Sequence, residues 1–312
     1  IKTGAKEEAE DRGYDGKWVF TLDFPSYVPF MKYADNRALR EQIWMAFCAR
    51  GWKTGHDNSD LILEIVKLRH ERANLLGYKT HADFVLEKRM AERPDNVLEF
   101  LDTLKSAYKP AAESDLKELQ DFALKTDNLD DLQPWDIAYY SEKLRKDLYD
   151  ISGEDLRPYF PLQPVLEGVF EHFSKLFHLQ FKKSDAYPAW HEDVVVYEVS
   201  DLTDGSFVGV LYGDFHPRKG KQGGAWKTSY RDQGLFRGKL ERPLIAIVCN
   251  FPKPTADAPS LLTHDDVTTL FHELGHAVHA LLSKVTYSSL AGTNVLWDFV
   301  ELPSQIQENW AY

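Results

Sequence analysis

The chain has 312 residues and a formal net charge of −12, with 43% hydrophobic and 13% aromatic residues. That is enough for one large domain or two ordinary ones, while the acidic balance argues against nucleic acid as a partner, because phosphate binding needs clustered Lys and Arg. The longest apolar runs, such as LIAIVC at 244–249, are too short to span a bilayer, so no membrane role is expected.

The first half reads as helices. NSDLILEIVKLRHERANLLG opens with cap residues Asn58 to Asp60, carries Leu61, Ile65 and Leu68 on one face and closes at Gly77. PDNVLEFLDTLKSAY starts with Pro94 in a first turn and repeats apolar residues at Val97, Leu98, Leu101 and Leu104. PWDIAYYSEKLRKDLY and PVLEGVFEHFSKLF follow the same logic, so the expectation is a set of mid-length amphipathic helices with charged outer faces. Near residue 188 the pattern changes. VVVYEV at 194–199, a turn with Asp204 and Gly205, and FVGVLY at 207–212 predict a β-hairpin, with LIAIVC as a third strand. The intervening HPRKGKQGGAW is a loop; without a GKS/T ending it carries little weight as a phosphate cradle.

The only two cysteines, Cys48 and Cys249, lie in apolar runs and are expected as buried free thiols. Nothing implies an oxidising compartment, and the expected location is the cytoplasm. The chain starts at Ile1 without Met or a signal-like segment and stops at Tyr312 in mid-pattern. The expectation is a fragment of a longer protein.

LTHDDVTTLFHELGHAVHALL carries the chemistry. Thr263 followed by Asp266 resembles a capping box, and Asp265 adds negative charge where the helix dipole favours it. At roughly 100° per residue, Val267, Leu270, Phe271, Leu274, Val278 and Leu281 share one face. His272, His276 and His279 cluster on the opposite face, among the small residues Thr268, Thr269 and Gly275. A helix apolar on one side and small-plus-histidine on the other suits a position between a core and a cleft. His272 and His276 sit about 6 Å apart along the axis and can converge on one metal. Glu273 points to the side of that pair, placed to hold a water against the metal rather than to ligate. The plain alternatives are hydrogen-bonded core histidines and a solvated glutamate. His279 lies about 10.5 Å beyond His272, too far to join the same ion, and is expected as a cleft or packing residue. A three-histidine HExxHxxGxxH site would need His at 282, where Leu282 stands.

A catalytic zinc needs a third protein ligand and an open position. WDFVELPSQIQENWAY offers Asp298, Glu301 and Glu308; if helical, Glu301, Gln305 and Glu308 share a face, with Pro303 marking a nearby start or a kink. Asp298 with Glu301 also resembles a capping box. Spacing leaves these acids open.

NFPKPTADAPSLLTHDDVTTLFHELGHAVH, followed by AGTNVLWDFVELPSQIQENW, resembles the thimet oligopeptidase and peptidyl-dipeptidase family of zinc peptidases. WHEDVVVYEV and GDFHPRKGKQGGAW are similar to that family's preceding segments, so the match covers about residues 188–312. The resemblance implies a mainly α, neurolysin-like helical metallopeptidase fold, with a small β-sheet next to the HExxH helix. The expected division is a helical region, 1–185, flanking the cleft and a partial catalytic region, 186–312. It implies one Zn2+ per chain held by His272, His276 and Glu301, with Glu273 as general base. Asp298, Gln305, Glu308 and His279 are left as surrounding candidates. Leu274 stands where the family usually has Phe. The implied reaction is hydrolysis of short peptides by a protein expected to be monomeric. The alternatives are a zinc hydrolase acting on non-peptide amides and a non-catalytic helical binding module with a vestigial motif. The family places further substrate- and oxyanion-binding residues downstream of the third ligand, so this chain is expected to cleave poorly by itself.

Overall fold

The computed structural model describes residues 2–53, 55–255 and 257–312; Ile1, and Ala256 of the matched NFPKPTADAPS stretch, lie outside them. The chain divides into two compact units, Ile1–Ser152 and Gly153–Tyr312.

The first unit is helical: α1 (Lys2–Asp11), α2 (Phe24–Tyr33), α3 (Arg37–Cys48), α4 (Ser59–Leu75), α5 (His81–Leu86), α6 (Pro94–Asp127) and α7 (Pro134–Tyr149). Pro94 and Pro134 each start a helix, where a missing N–H costs nothing. Leu119 and Ala123 of α6 pack with Tyr139 and Tyr140 of α7. Beside them the Asp136 carboxylate is fully buried, paired with the buried Arg40 at 2.8 Å and with Arg37 at 2.7 Å. Three expectations change here. The helix from Pro94 is not mid-length: it runs 34 residues, straight through Pro110. Its flanks are exposed to solvent, so the carbonyl freed by the proline can be hydrated. The stripe expected to be buried on α4 is exposed, with Leu61, Ile65 and Leu68 all open within this unit. Cys48 likewise departs from expectation: it is exposed at the end of α3, whereas Cys249 is buried, and both are free.

Among the described residues the second unit holds α8 (Gly153–Leu156), α9 (Leu162–Phe177), seven strands, α10 (His264–Leu281) and α11 (Leu302–Glu308). The strands are β1 (Leu179–Lys183), β2 (Val194–Asp201), β3 (Phe207–Asp214), β4 (Trp226–Arg231), β5 (Gly234–Phe236), β6 (Lys239–Glu241) and β7 (Leu244–Val248). Five form a mixed sheet in the order β1-β2-β3-β7-β4, and β5 and β6 form a separate ribbon. The hairpin read from the sequence is β2 and β3, antiparallel with Val196 opposite Tyr212. LIAIVC is β7, parallel to β3 and antiparallel to β4. WKTSYR, without apolar alternation, nonetheless forms β4 at the sheet edge.

The main core lies between the sheet, α9 and α10. Ile245, Ile247 and Leu211 of the sheet meet Val267, Leu270, Leu274 and Leu281 of α10, and Leu166, Val169 and Phe173 of α9. Each fully buried apolar side chain contributes about 1.5–3 kcal/mol. This is the apolar face that the 3.6-residue periodicity assigns to α10. The helix begins at the expected capping box: Asp266 N donates to Thr263 Oγ1 at 3.1 Å, and Thr263 N donates to Asp266 Oδ2 at 2.8 Å.

Candidate metal centre

α10 is fixed on the sheet by its apolar face, so its opposite face is presented at a set height and rotation. What brings the third acid to it is Gly275. A Cβ there would lie 2.8 Å from Ser304 Cα, 3.0 Å from Gln307 Cγ and 3.2 Å from the Pro303 carbonyl. With only a hydrogen at that point, α11 lies directly against α10. Pro303 stands in the first turn of α11, and Glu301 sits at its N-cap position, where Ser304 Oγ donates to Glu301 Oε2 at 3.1 Å.

The result is a nearly equilateral triangle of donor atoms. His272 Nε2 and His276 Nε2 are 3.1 Å apart; Glu301 Oε2 lies 3.2 Å from the first and 3.1 Å from the second. Among the described residues this is the one His/Cys/Asp/Glu group placed to hold a metal ion. Zinc bonds to nitrogen and oxygen of about 2.0–2.1 Å make a tetrahedron with edges of about 3.3–3.4 Å. The observed edges fall just inside that value, and two imidazoles plus one carboxylate with an open fourth position is a donor set that zinc accepts. The residues present therefore fit the ion.

Around the triangle, Glu308 accepts from His272 Nδ1 at 2.7 Å, which fixes Nε2 as the nitrogen facing the other donors. His276 Nδ1 is buried without a partner among the described residues. Burial lowers the His276 pKa, opposed by the Glu301 carboxylate, so its ligating, neutral form is favoured. Glu273 is 5% exposed, and its Oε2 is buried with no hydrogen-bond partner among the described residues. Burial pushes its carboxyl up to about 7; the charge of Glu301 adds to the rise and His272 opposes it. A cation in the triangle would draw that value back down. Glu273 opens, with His272, Thr268, Thr269, Glu308 and Ala225, onto a depression of about 410 Å³.

The other residues singled out from the sequence lie elsewhere. His279 lines a separate pocket of about 420 Å³ with Gly275, Val278, Pro303 and Gln307, its Nδ1 buried and without a hydrogen-bond partner among the described residues. Asp298 is exposed in the turn before α11 and is outside the triangle; Gln305 is exposed and contributes its backbone N–H to Glu301 O at 2.8 Å. Sequence reasoning missed Ala225 and the half-buried Lys227, which the edge strand β4 and the turn leading into it bring beside α10. Lys227 donates to Ser229 Oγ at 2.8 Å and to Thr293 Oγ1 at 2.7 Å. An unpredicted strand carries it, so only the register against β7 reveals its side.

A capped helix bears two histidines one turn apart, the next helix brings in a glutamate, and a second, buried glutamate stands beside them, so a group that could hold a metal ion sits on a mainly helical scaffold. The chain belongs to peptidase family M3, whose model matches residues 30–312, well beyond the stretch that carries recognisable motifs. It is 42% identical to oligopeptidase A of Haemophilus influenzae over 99% of this chain and 46% of that relative. It is 38% identical to the dipeptidyl carboxypeptidase of Escherichia coli over 98% of this chain and 45% of that relative. The match to saccharolysin of Saccharomyces cerevisiae is 37%, over 94% and 42%. The chain thus spans about half the length of the relatives it matches.

Proposed function

We propose that the chain carries the zinc-holding core of an enzyme that hydrolyses short peptides. His272, His276 and Glu301 are the ligands and Glu273 is the general base. The observation that carries this reading is the donor triangle with edges of 3.1–3.2 Å, beside which stands a buried glutamate with an oxygen unpartnered among the described residues. Zinc held there would polarise the scissile carbonyl and make a bound water acidic enough to attack near neutral pH.

The chain's own residues do the rest. Glu273 Oε2 takes the proton of the attacking water and delivers it to the leaving nitrogen; a carboxyl tuned towards neutrality can both accept and release a proton. Glu308 holds the proton on His272 Nδ1, keeping Nε2 available. Among the described strands β4 is one of the two edge strands of the sheet, the one beside β7, so an extended peptide can add to it through main-chain hydrogen bonds. The relatives support the reaction class, since their names are oligopeptidase and dipeptidyl carboxypeptidase. A cytoplasmic location goes with this reading: a 39% identical Arabidopsis thaliana relative is named a probable cytosolic oligopeptidase A. Among the described residues no helix is long and apolar enough to cross a membrane.

The test is Glu273→Gln in the full polypeptide. The variant is expected to bind zinc as the parent does and to lose cleavage of an eight- to twelve-residue peptide panel. Cleavage retained with zinc bound refutes the assigned base. Mass spectrometry of the products, from one peptide with free and amidated C-termini, separates dipeptide removal from internal cleavage.

A further inference from the structure

Lys227 is an unusual cation for its place. Along β4, Lys227 lies opposite Ile247 and Ser229 opposite Ile245, and residues directly opposite share a face. Ile245 and Ile247 belong to the core that α10 covers, whereas Ala246, opposite Thr228, belongs to the core on the other face. The Lys227 side chain therefore stands on the α10 side of the sheet, at its open edge. Burial is the main cause of the lowered pKa of His276 and of His279, and the charge of Lys227 adds to both. The ammonium is thus close enough to the second histidine for its field to be felt.

Its partners are two neutral hydroxyls, of Ser229 and Thr293. An ammonium has three donors, which leaves one uncommitted among the described residues. Among the described residues no carboxylate pairs with Lys227. Asp232, whose field reaches it, instead accepts from Asn294 Nδ2 at 3.2 Å. A half-buried cation without a counter-ion is costly unless something supplies the charge. In a chain of net charge −12, a lysine without a carboxylate partner among the described residues, on the α10 side of the sheet, is an arrangement that an incoming anion completes.

We propose that Lys227 is a specificity-determining residue that recognises an acidic side chain of a peptide lying along β4, making peptides with Glu or Asp at that position the favoured substrates. The inference rests on the peptidase reading given above. In a strand added to β4, the residue opposite Lys227 has its Cβ about 4.5–5.5 Å from the lysine Cβ, on the same face. That places a Glu or Asp carboxylate within reach of the uncommitted donor, on the side where the metal triangle lies. The hydroxyls of Ser229 and Thr293 hold the ammonium in place before the peptide arrives, which lowers the ordering cost of the contact.

The experiment uses the zinc-loaded full polypeptide and a set of peptides of one length and sequence, each with Glu or Gln at a single position. Hydrogen bonds to charged groups contribute enough that kcat/KM is expected to favour Glu about tenfold at one position. Lys227→Met should abolish that preference, Lys227→Arg should keep it and Lys227→Glu should shift it towards Lys. Equilibrium binding of the same peptides to the Glu273→Gln protein reads the selectivity without turnover. Selective binding with no cleavage by the parent protein would contradict the peptidase reading while keeping the role of Lys227. Equal binding and equal turnover of the Glu and Gln peptides at every position overturns that role, as does a preference that survives in Lys227→Met. A thermal melt of each variant identifies any that has lost its fold, and the Arg variant, which keeps charge and length, then decides the question.

Discussion

Gly275→Ala sets two effects of opposite sign against each other. Alanine is favoured over glycine inside a helix by about 1 kcal/mol, so a freely solvated α10 would gain stability. At this position the new methyl meets Ser304 Cα at 2.8 Å, a backbone atom that cannot swing aside. Reaching ordinary contact at 3.4 Å requires α11 to withdraw by about 0.6 Å. Overpacking of this kind costs about 1–3 kcal/mol, so the net effect on stability is expected to be a loss of up to about 2 kcal/mol. The larger consequence falls on the site. Ser304 is bonded to Glu301 through both its backbone and its carboxylate oxygens, so the displacement carries the third donor with it. Metal sites tolerate ligand distances within about 0.2 Å, a third of that shift. Zinc affinity, measured by chelator competition, should therefore fall by tenfold or more, while circular dichroism shows an intact helix content. Parent-like zinc affinity together with a raised melting temperature would refute the reasoning that this glycine sets the reach of Glu301.

Glu308→Gln removes the charge behind His272 Nδ1; zinc affinity should fall about 10- to 100-fold with little change in thermal stability, and an unchanged affinity counts against the tautomer argument. Asp214, 2% exposed, receives Arg218, Lys221 and Trp190, and Asp214→Asn should destabilise the chain by about 3 kcal/mol in chemical denaturation, because the Lys221 ammonium is left buried without its partner. Burial alone would raise the pKa of Asp214, but those donors bring it down to about 2. Its contribution is therefore complete above the ordinary aspartate value near 4 and lost as pH falls towards 2. Acid titration of stability should be flatter for Asp214→Asn across that window, and parallel curves would contradict the assignment. Leu274→Ala empties a fully buried position between α10 and the sheet and should cost about 2–5 kcal/mol, read as a lowered denaturation midpoint.

What was legible in the sequence was what is encoded locally. The capping box at Thr263 and the apolar stripe from Val267 to Leu281 involve residues within a few turns of one another, so α10, its rotation and its histidine face could be read directly. The β2–β3 hairpin was legible for the same reason, with β-branched and aromatic residues flanking a turn signal. The choice of Glu301 over Asp298 and Glu308 was not, because it depends on the approach of α11 to Gly275, a contact between separate elements. The resemblance supplied what spacing left open. β4 escaped because WKTSYR has no alternation of apolar and polar residues; an edge strand is held by its ladder to β7 and need not bury a continuous face. The run of α6 through Pro110 and the exposure of the α4 stripe show the limits of propensity and periodicity. The first misjudges where a helix stops, and the second shows which face is apolar without showing that anything in the same unit covers it.

The central claim is that three side chains from α10 and α11 hold one zinc ion beside a base that does not ligate. It is tested most directly by zinc content per chain after equilibration with zinc and exhaustive dialysis, compared across His272→Ala, His276→Ala, Glu301→Ala and Glu273→Gln. The account predicts one zinc per chain in the parent and in Glu273→Gln, and a loss of bound zinc in each of the other three. A parent chain that retains no zinc, or a variant of the triangle that holds zinc as firmly as the parent, contradicts it.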